Sequence, residues 1–368
     1  MTRPLQTFGL LLSLLLWPWE LQAINANLLP KGKGRLRVYH SSIRGNDRFG
    51  ASGERQPLGQ TGLDQLAAKG IPPAVANAYS IENRSRYTQH RTDWEMDFGI
   101  APKLNLGLWI PVEDASLDQS PLLTQGGAWG AIPAAQQAAI RQGVGLLDRA
   151  DTHDHEFGDI LVGIKTSVIG QETSRERLSL GGGVRLPTGH LANPLDSGDI
   201  ATGDGQWDLS LWTWFDFQPS PGFTINLHTH HDYGLPGKRP ALWPTNAART
   251  AKMGFQPGFH HDIQLEPQWH FPLGQVELEP SLLFLYSREE NERQQSFDLA
   301  TGSFTGSRHT AVGTSWQRLL VKPALGLDLL PMGLPAVLSL GYGSTVWGTN
   351  TVDFTMLELR LDLYFDTN

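Results

Sequence analysis

The strongest constraint on this chain is a set of long extended segments in which apolar residues hold every second position and polar residues the rest. It is clearest between Gly205 and Ser287, which reads as two hairpins. Trp207 to Phe217 pairs with Phe223 to Tyr233, and Phe259 to Phe271 pairs with Val276 to Tyr286. In the first strand Leu209, Leu211, Phe215 and Phe217 share one parity, while Asp208, Ser210 and Asp216 take the other. A β-strand sends these two sets to opposite faces. The second sets Phe223, Ile225 and Leu227 against Thr224, Asn226 and His228; the third sets Ile263, Leu265 and Trp269 against Asp262, Gln264, Glu266 and His270. Strands of roughly 10 residues or more approach barrel-spanning length and exceed the ~5–6 usual in soluble sheets. Lipid is therefore the expected solvent for the apolar parity.

The rhythm continues along the chain. Arg35 to Ser41 is the first candidate strand, followed by a long connection from Ile43 to about Arg84 with a short helix over Leu63 to Lys69. Trp94, Met96, Phe98 and Ile100 alternate with Asp93, Glu95 and Asp97, and Pro102 turns the chain back through Leu104, Leu106, Leu108 and Ile110. The connection from Glu113 to Gly158 includes Ile132 to Leu147, rich in Ala, Gln, Ile and Leu and read as a helix. Strands follow at Ile160 to Ile164, Leu178 to Leu186, Val321 to Leu327, Leu338 to Tyr342 and Leu357 to Phe365. The count is about 12, and long and short connections alternate, as in outer-membrane barrels. The short last connection, Gly348 to Asn350, is the exception.

The first residues read as an export signal: Arg3, an apolar core from Phe8 to Trp17, Pro18 as a breaker and Ala23 as the cleavage residue. The expected division is a signal peptide over 1–23 and a barrel over 24–368. After Ala23 no apolar run approaches the ~18 residues of a membrane helix. The chain has no cysteine, which excludes a lipoprotein anchor and a disulfide framework. Its 40 Gly, 12 Trp and mean hydropathy of −0.27 suit a large exported β protein. A net charge of −8 without a basic stripe argues against nucleic acid as a partner.

The polar parity defines the candidate lumen. It collects Asp93, Glu95, Asp97, Lys165, Arg185, Asp208, Trp212, Trp214, Asp216, His228, His230, Asp262, Glu266, Glu277, Glu279, Glu358, Arg360 and Asp362. Such groups either solvate a wet interior and pair across it, or form a constriction that selects solutes, and one lumen can do both. Trp212 and Trp214 could line a route for apolar or aromatic solutes or simply fill space. Trp94, Trp109, Trp207, Trp243, Trp269, Trp316 and Trp347 lie near strand ends, as interface girdles do. Histidines cluster at His228, His230 and His231, at His260 and His261, at His270, and at His153 and His155. They read as polar residues near strand ends, so neither a metal nor another cofactor is expected. Gly181 to Gly183 lacks the Gly-Lys-Ser/Thr of a phosphate loop and reads as room for bulky neighbours; no Gly-x-Ser-x-Gly elbow occurs.

Gly158-Asp159-Ile160 opening a strand, the run from Leu178 to Gly189 ending Leu-Pro-Thr-Gly, and Thr202-Gly203-Asp204-Gly205 together resemble the bacterial family named for the meta-pathway of phenol degradation, or a related uncharacterised outer-membrane family. That resemblance covers Trp94 to Tyr233. It implies an outer-membrane barrel transporting hydrophobic or aromatic compounds, with no catalytic residues to carry over. In outline the chain is also similar to the long-chain fatty-acid transporters, whose lumen an N-terminal segment plugs. Only Ile24 to Lys33 precedes the first strand here, so the helix over Ile132 to Leu147 is the expected plug.

The expected protein is all-β: a transmembrane antiparallel up-and-down barrel with long external loops, in the cell outer membrane. It would be a monomer, inserted by the barrel-assembly machinery among outer-membrane lipids, and would pass small, apolar or aromatic solutes without enzymatic activity. The alternatives are an adhesive surface barrel binding a partner through its loops and a membrane-embedded hydrolase.

Overall fold

The structure is a computed structural model and describes residues 25–58, 79–83, 85–118, 120–147, 152–170, 174–194, 200–243, 246–298 and 300–367. The export segment 1–23 and the helix expected over Leu63 to Lys69 lie outside the described residues. Twelve antiparallel strands close into a barrel. They are β1 (Lys33–Phe49), β2 (Arg86–Ala101), β3 (Leu104–Asp118), β4 (Ile160–Ile169), β5 (Glu176–Leu186), β6 (Asp208–Ser220), β7 (Phe223–Gly234), β8 (His260–Trp269), β9 (Val276–Glu289), β10 (Trp316–Asp328), β11 (Ala336–Thr349) and β12 (Thr351–Asp366). Each pairs with the next in sequence, and β1 closes the cylinder on β12, from Lys33 opposite Asp366 to Phe49 opposite Thr351. Closure leaves no sheet edge, which the hydrocarbon core of a bilayer requires.

The parity argument describes the wall. Leu209, Leu211, Ile263, Leu265, Leu357 and Leu359 are exposed on the outside, whereas Asp208, Ser210, Asp262, Gln264 and Glu358 are buried within. Connections at one end are short, and Gly274 (φ 66°) and Gly333 (φ 82°) supply left-handed turn positions there. The other end carries the long loops, and Asn350 alone joins β11 to β12 on that end. Its φ of 50° lets one residue reverse the chain, which explains the short connection noted above.

The first three strands run further toward the loop end than expected, β1 to Phe49, β2 from Arg86 and β3 to Asp118. The physical reason is an inversion of the pattern. Above about His40 the outer face carries Arg44, His90 and Arg86, all exposed, while the inner face carries Ile43, Tyr87, Ala115 and Leu117, all buried. The wall there has water outside and a dry interior. Thr152–Phe157 prolongs it along β3, and two further sheets form over the loop end. One is the hairpin of Tyr79–Asn83 with Pro121–Gln125, and the other joins Gly237–Trp243, Asn246–Gln256, Arg293–Asp298 and Ser303–Thr310. The expected helix is present as α1 (Ala134–Leu147). It does not plug the barrel: Ile140 packs with Trp129, Ile132, Tyr79 and Leu123 against the loop hairpin.

Candidate functional site

The interior is built in three tiers. At the turn end, basic residues from β1, β5, β10 and β12 are tied to carboxylates on their own or neighbouring strands. Arg35 pairs with Asp97, and Arg37 reaches Glu95 at 3.1 Å and Asp362 at 2.7 Å. Arg360 lies 3.8 Å from Asp362, Arg177 3.3 Å from Asp216, and Lys322 2.6 Å from Glu358. Higher up, Arg91 bridges Asp93 and Glu113 at 2.8 and 3.2 Å, and Arg185 bridges Asp208 and Asp232 at 3.3 and 2.7 Å. An uncompensated charge so deeply buried would cost several kcal/mol, so these pairs are conditions for a filled lumen more than sources of stability.

On the inner face of β6 and β7 stand stacked rings. Trp212 lies parallel to His230 at 5.6 Å between centroids and Trp214 to His228 at 5.1 Å, and the two indoles are 6.2 Å apart. His260 joins His230 to Trp316. The glycines opposite explain how the rings fit. A Cβ on Gly183 would lie 2.4 Å from Trp212 and one on Gly181 2.8 Å from Trp214; Gly163 of β4 faces Trp212 at 2.9 Å. The glycine run thus makes a flat bed for indoles, the role expected for it.

Trp109 and Trp316, read above as girdle residues, are inside. Trp109 is buried beneath the guanidinium of Arg91 at 4.9 Å, and Trp316 donates its indole N–H to Glu289 at 2.9 Å. Both share the parity of inward neighbours, Trp109 with Asn105 and Glu113, Trp316 with Arg318 and Lys322. Trp94, Trp207, Trp269 and Trp347 are on the outer face.

Toward the loop end lies an apolar tier. Ile43, Tyr87, Ala115, Leu117, Leu283, Leu285, Leu320, Val352, Phe354 and Met356 form one buried cluster, which Leu58 of the β1–β2 loop and Ile200 of the β5–β6 loop join from above. None belongs to the expected lumen set. A signal existed in Leu282 to Tyr286, apolar on both parities, as a wall must be when lipid lies on one side and a dry interior on the other.

The segment 25–30 enters the bore from the turn end. Ala26 N–H donates to Asp216 at 2.8 Å and Ala26 O accepts from Ser179 at 2.5 Å. Lys165 Nζ donates to the carbonyls of Asn25 and Asn27 at 2.6 and 3.1 Å. Ala26 is buried with Trp109, Leu161, Trp212 and Trp214. The expected plug is thus replaced by one that sequence could not mark, because backbone groups hold it. A cavity of about 70 Å³ remains beside it, lined by Arg35, Lys165, Gly163, Trp109, Trp212 and Trp214.

Of the residues expected in the lumen, Asp93, Arg185, Asp208, Trp212, Trp214, His228, His230, Asp262 and Glu358 are buried. Asp93, Glu95, Asp97, Arg185, Asp208, Glu358 and Arg360 join the ion-pair lattice; Trp212, Trp214, His228, His230 and Asp262 form the ring tier. Glu266 accepts from Ser281 at 2.6 Å, and Glu277 and Glu279 gather at His270 near the turn-end rim. His231 and His261 instead meet each other on the outer face, and His155 is exposed.

The three stretches that carry the family resemblance converge at the loop ends of β4 to β6. Asp159 accepts the N–H of Gly189 at 2.7 Å and that of Asp204 at 3.3 Å, and Thr188 Oγ1 donates to Gly158 O at 3.0 Å. Gly189 and Gly203 touch; a Cβ on Gly189 would be 2.7 Å from Gly203 Cα.

Among solved structures, the outer-membrane channel of Pseudomonas putida F1 matches with a TM-score of 0.60 at 10% identity, covering 94% of this chain and 100% of that one. The fold is that of an outer-membrane β-barrel. The CymD monoaromatic hydrocarbon channel (TM-score 0.37, 11% identity, 92% of this chain and 90% of that one) and the toluene transporter TbuX of Ralstonia pickettii (0.39, 9%, 93% and 92%) are more distant barrels. No family model matches the chain, and no curated protein does.

Proposed function

We propose that the protein is an outer-membrane channel for small apolar or aromatic solutes, closed at rest by its own segment 25–30. The observation that carries this reading is the apolar tier beneath the loops: a polar-solute pore has no need of a dry inner face, whereas an apolar solute is held by one at roughly 25 cal/mol per Å² removed from water. Below it the aromatic bed of Trp212 and Trp214 offers stacking to a ring-shaped solute, and the cavity beside it adjoins the plug. In this reading the long loops are extracellular, the short turns and the segment 25–30 periplasmic, and the lipid-facing leucines sit in the outer membrane. The barrel would work as a monomer inserted by the assembly machinery, without enzymatic activity. The resemblance around Leu178 to Gly189 points the same way.

Proteoliposome uptake tests it. Monoaromatic solutes should enter vesicles bearing the protein faster than sugars of similar size, and Leu285→Asn with Leu320→Asn should abolish the difference. Equal entry of both solute classes, before and after the substitutions, would refute the proposal.

A further inference from the structure

Where β8 turns into β9, His270, Glu277 and Glu279 aim one nitrogen and two carboxylate oxygens at a common point. His270 Nδ1 lies 2.7 Å from Glu277 Oε1 and 3.3 Å from Glu279 Oε1, and the three donor atoms fall within 4.8 Å of one another. The site is prepared on three sides. On β7, Thr224 Oγ1 is 3.2 Å from His270 Nε2, which orients the ring with Nδ1 toward the acids, and the backbone N–H of His270 donates to Gly222 O at 2.9 Å in the turn before β7. Glu277 and Glu279 are two apart on β9 and share a face. On β10, Gly326 leaves the space that the Glu279 carboxylate fills: a Cβ there would lie 3.2 Å from Glu279 Oε2. Asp328, the register partner of Glu277, adds a third carboxylate nearby.

The charge balance sets this cluster apart from the arginine- and lysine-paired carboxylates of the lumen; Asp262, with His230 at 3.8 Å and His260 at 3.1 Å, is matched by imidazoles too. Elsewhere in the lumen Asp93, Glu95, Asp97, Asp208, Asp216, Asp232, Glu358 and Asp362 each have an arginine or lysine within 4 Å. Among the described residues neither Glu277 nor Glu279 pairs with one; an imidazole is their shared partner.

We propose that His270, Glu277 and Glu279 bind a transition-metal dication, with zinc the ion their chemistry suits best. One nitrogen and two carboxylate oxygens match zinc's ligand set, and the nitrogen counts against calcium and magnesium, which take oxygen donors. Two carboxylates and a neutral imidazole cancel the charge of a dication. Bonds of about 2.0–2.1 Å in tetrahedral array separate ligand atoms by about 3.3 Å, the spacing between His270 Nδ1 and Glu279. Glu277 need draw back only about half an ångström. Metal on Nδ1 leaves the proton on Nε2, which then donates to Thr224 Oγ1. Three protein ligands leave the fourth position to water at the turn-end mouth.

The test uses the full-length protein in detergent, stripped with chelator and titrated with Zn²⁺ by calorimetry and with Co²⁺ by visible absorption. One ion per chain should bind, undisturbed by excess Mg²⁺ or Ca²⁺. His270→Asn and Glu279→Gln should each abolish the high-affinity site, and Thr224→Val should weaken it roughly 10- to 100-fold. The His231→Asn, His261→Asn double variant, altered only on the outer face, should bind like the parent. Retained heat-modifiable mobility identifies the folded variants, and Thr224→Val carries the test if the ligand variants misfold. Absence of Zn²⁺ binding to folded parent protein, or binding that survives His270→Asn and fails in the outer-face variant, would overturn the proposal.

Discussion

Replacing Lys165 by methionine keeps much of the side chain's length and removes the two donors that hold the carbonyls of Asn25 and Asn27 at 2.6 and 3.1 Å. The segment 25–30 is also held by the Ala26 N–H on Asp216, the Ser179 hydroxyl on Ala26 O and, at Leu29, both backbone groups on the Asn105 amide. Hydrogen bonds to charged groups contribute about 1.5–3 kcal/mol each and neutral ones about 0.5–1.5 kcal/mol, so the six together supply about 6–14 kcal/mol. Ordering six backbone residues costs about 6–12 kcal/mol. The two nearly cancel, and burial of Ala26 against Trp212 and Trp214 tips the balance inward. Losing both Lys165 contacts removes at least about 3 kcal/mol, which shifts the ratio of inserted to released segment by about 100-fold or more. In planar bilayers the parent should conduct rarely and Lys165→Met most of the time, with a deletion of residues 25–30 marking the fully open level. If the deletion conducts no more than the parent, the segment is not the barrier. If the deletion opens the barrel and Lys165→Met does not, the magnitude assigned to Lys165 is wrong.

Gly183→Val would drive its side chain into Trp212, a clash at 2.4 Å already at Cβ, and should lower stability by about 1–3 kcal/mol in urea unfolding from detergent; adding Trp212→Ala should recover part of the loss. Leu320→Ala, in the apolar tier, should cost about 2–5 kcal/mol in the same assay, whereas Leu211→Ala on the lipid face should cost less. In the β5–β6 loop, burial and the neighbouring Asp159 push the Asp204 carboxyl up to about 7. A carboxyl raised in the folded state favours that state below its unfolded value and loses the advantage as pH climbs through the folded one. Amide exchange at Gly189, His190 and Gly203, corrected for intrinsic rate, should therefore be slower at pH 5 than at pH 8, and Asp204→Asn should remove the difference. Exchange that slows with rising pH would contradict that sign.

The barrel was legible because lipid imposes a two-residue period on its wall, and Leu357, Leu359, Leu361 and Leu363 state that period without interruption. The inward set followed by subtraction. Its pairing did not, since Arg37 finds Glu95 and Asp362 only through the register of β1 with β2 and β12. Trp109 and Trp316 were misplaced by weighing their nearness to strand ends above their parity, which pointed inward. The apolar tier escaped because Ile43, Tyr87 and Leu117 lie where the wall leaves lipid and the pattern reverses, so each resembled the start or end of a loop. The plug left no trace in side-chain pattern: its backbone carbonyls and N–H groups do the binding, and any short segment offers those. The motif pieces near Asp159, Thr188 and Gly203 were visible as separate strings, and only the fold brings them into one hydrogen-bonded knot.

The central claim is that one face of each strand meets lipid and the other an enclosed polar interior. Spin labels placed singly at Leu211, Leu265 and Leu359 on the outside, and at Glu266 and Glu277 within, measure it in reconstituted bilayers. The outer set should relax faster with oxygen dissolved in the acyl chains, and the inner set with a water-soluble nickel chelate. Equal responses from both sets, or a protein that stays monodisperse in buffer once detergent is removed, would contradict the account.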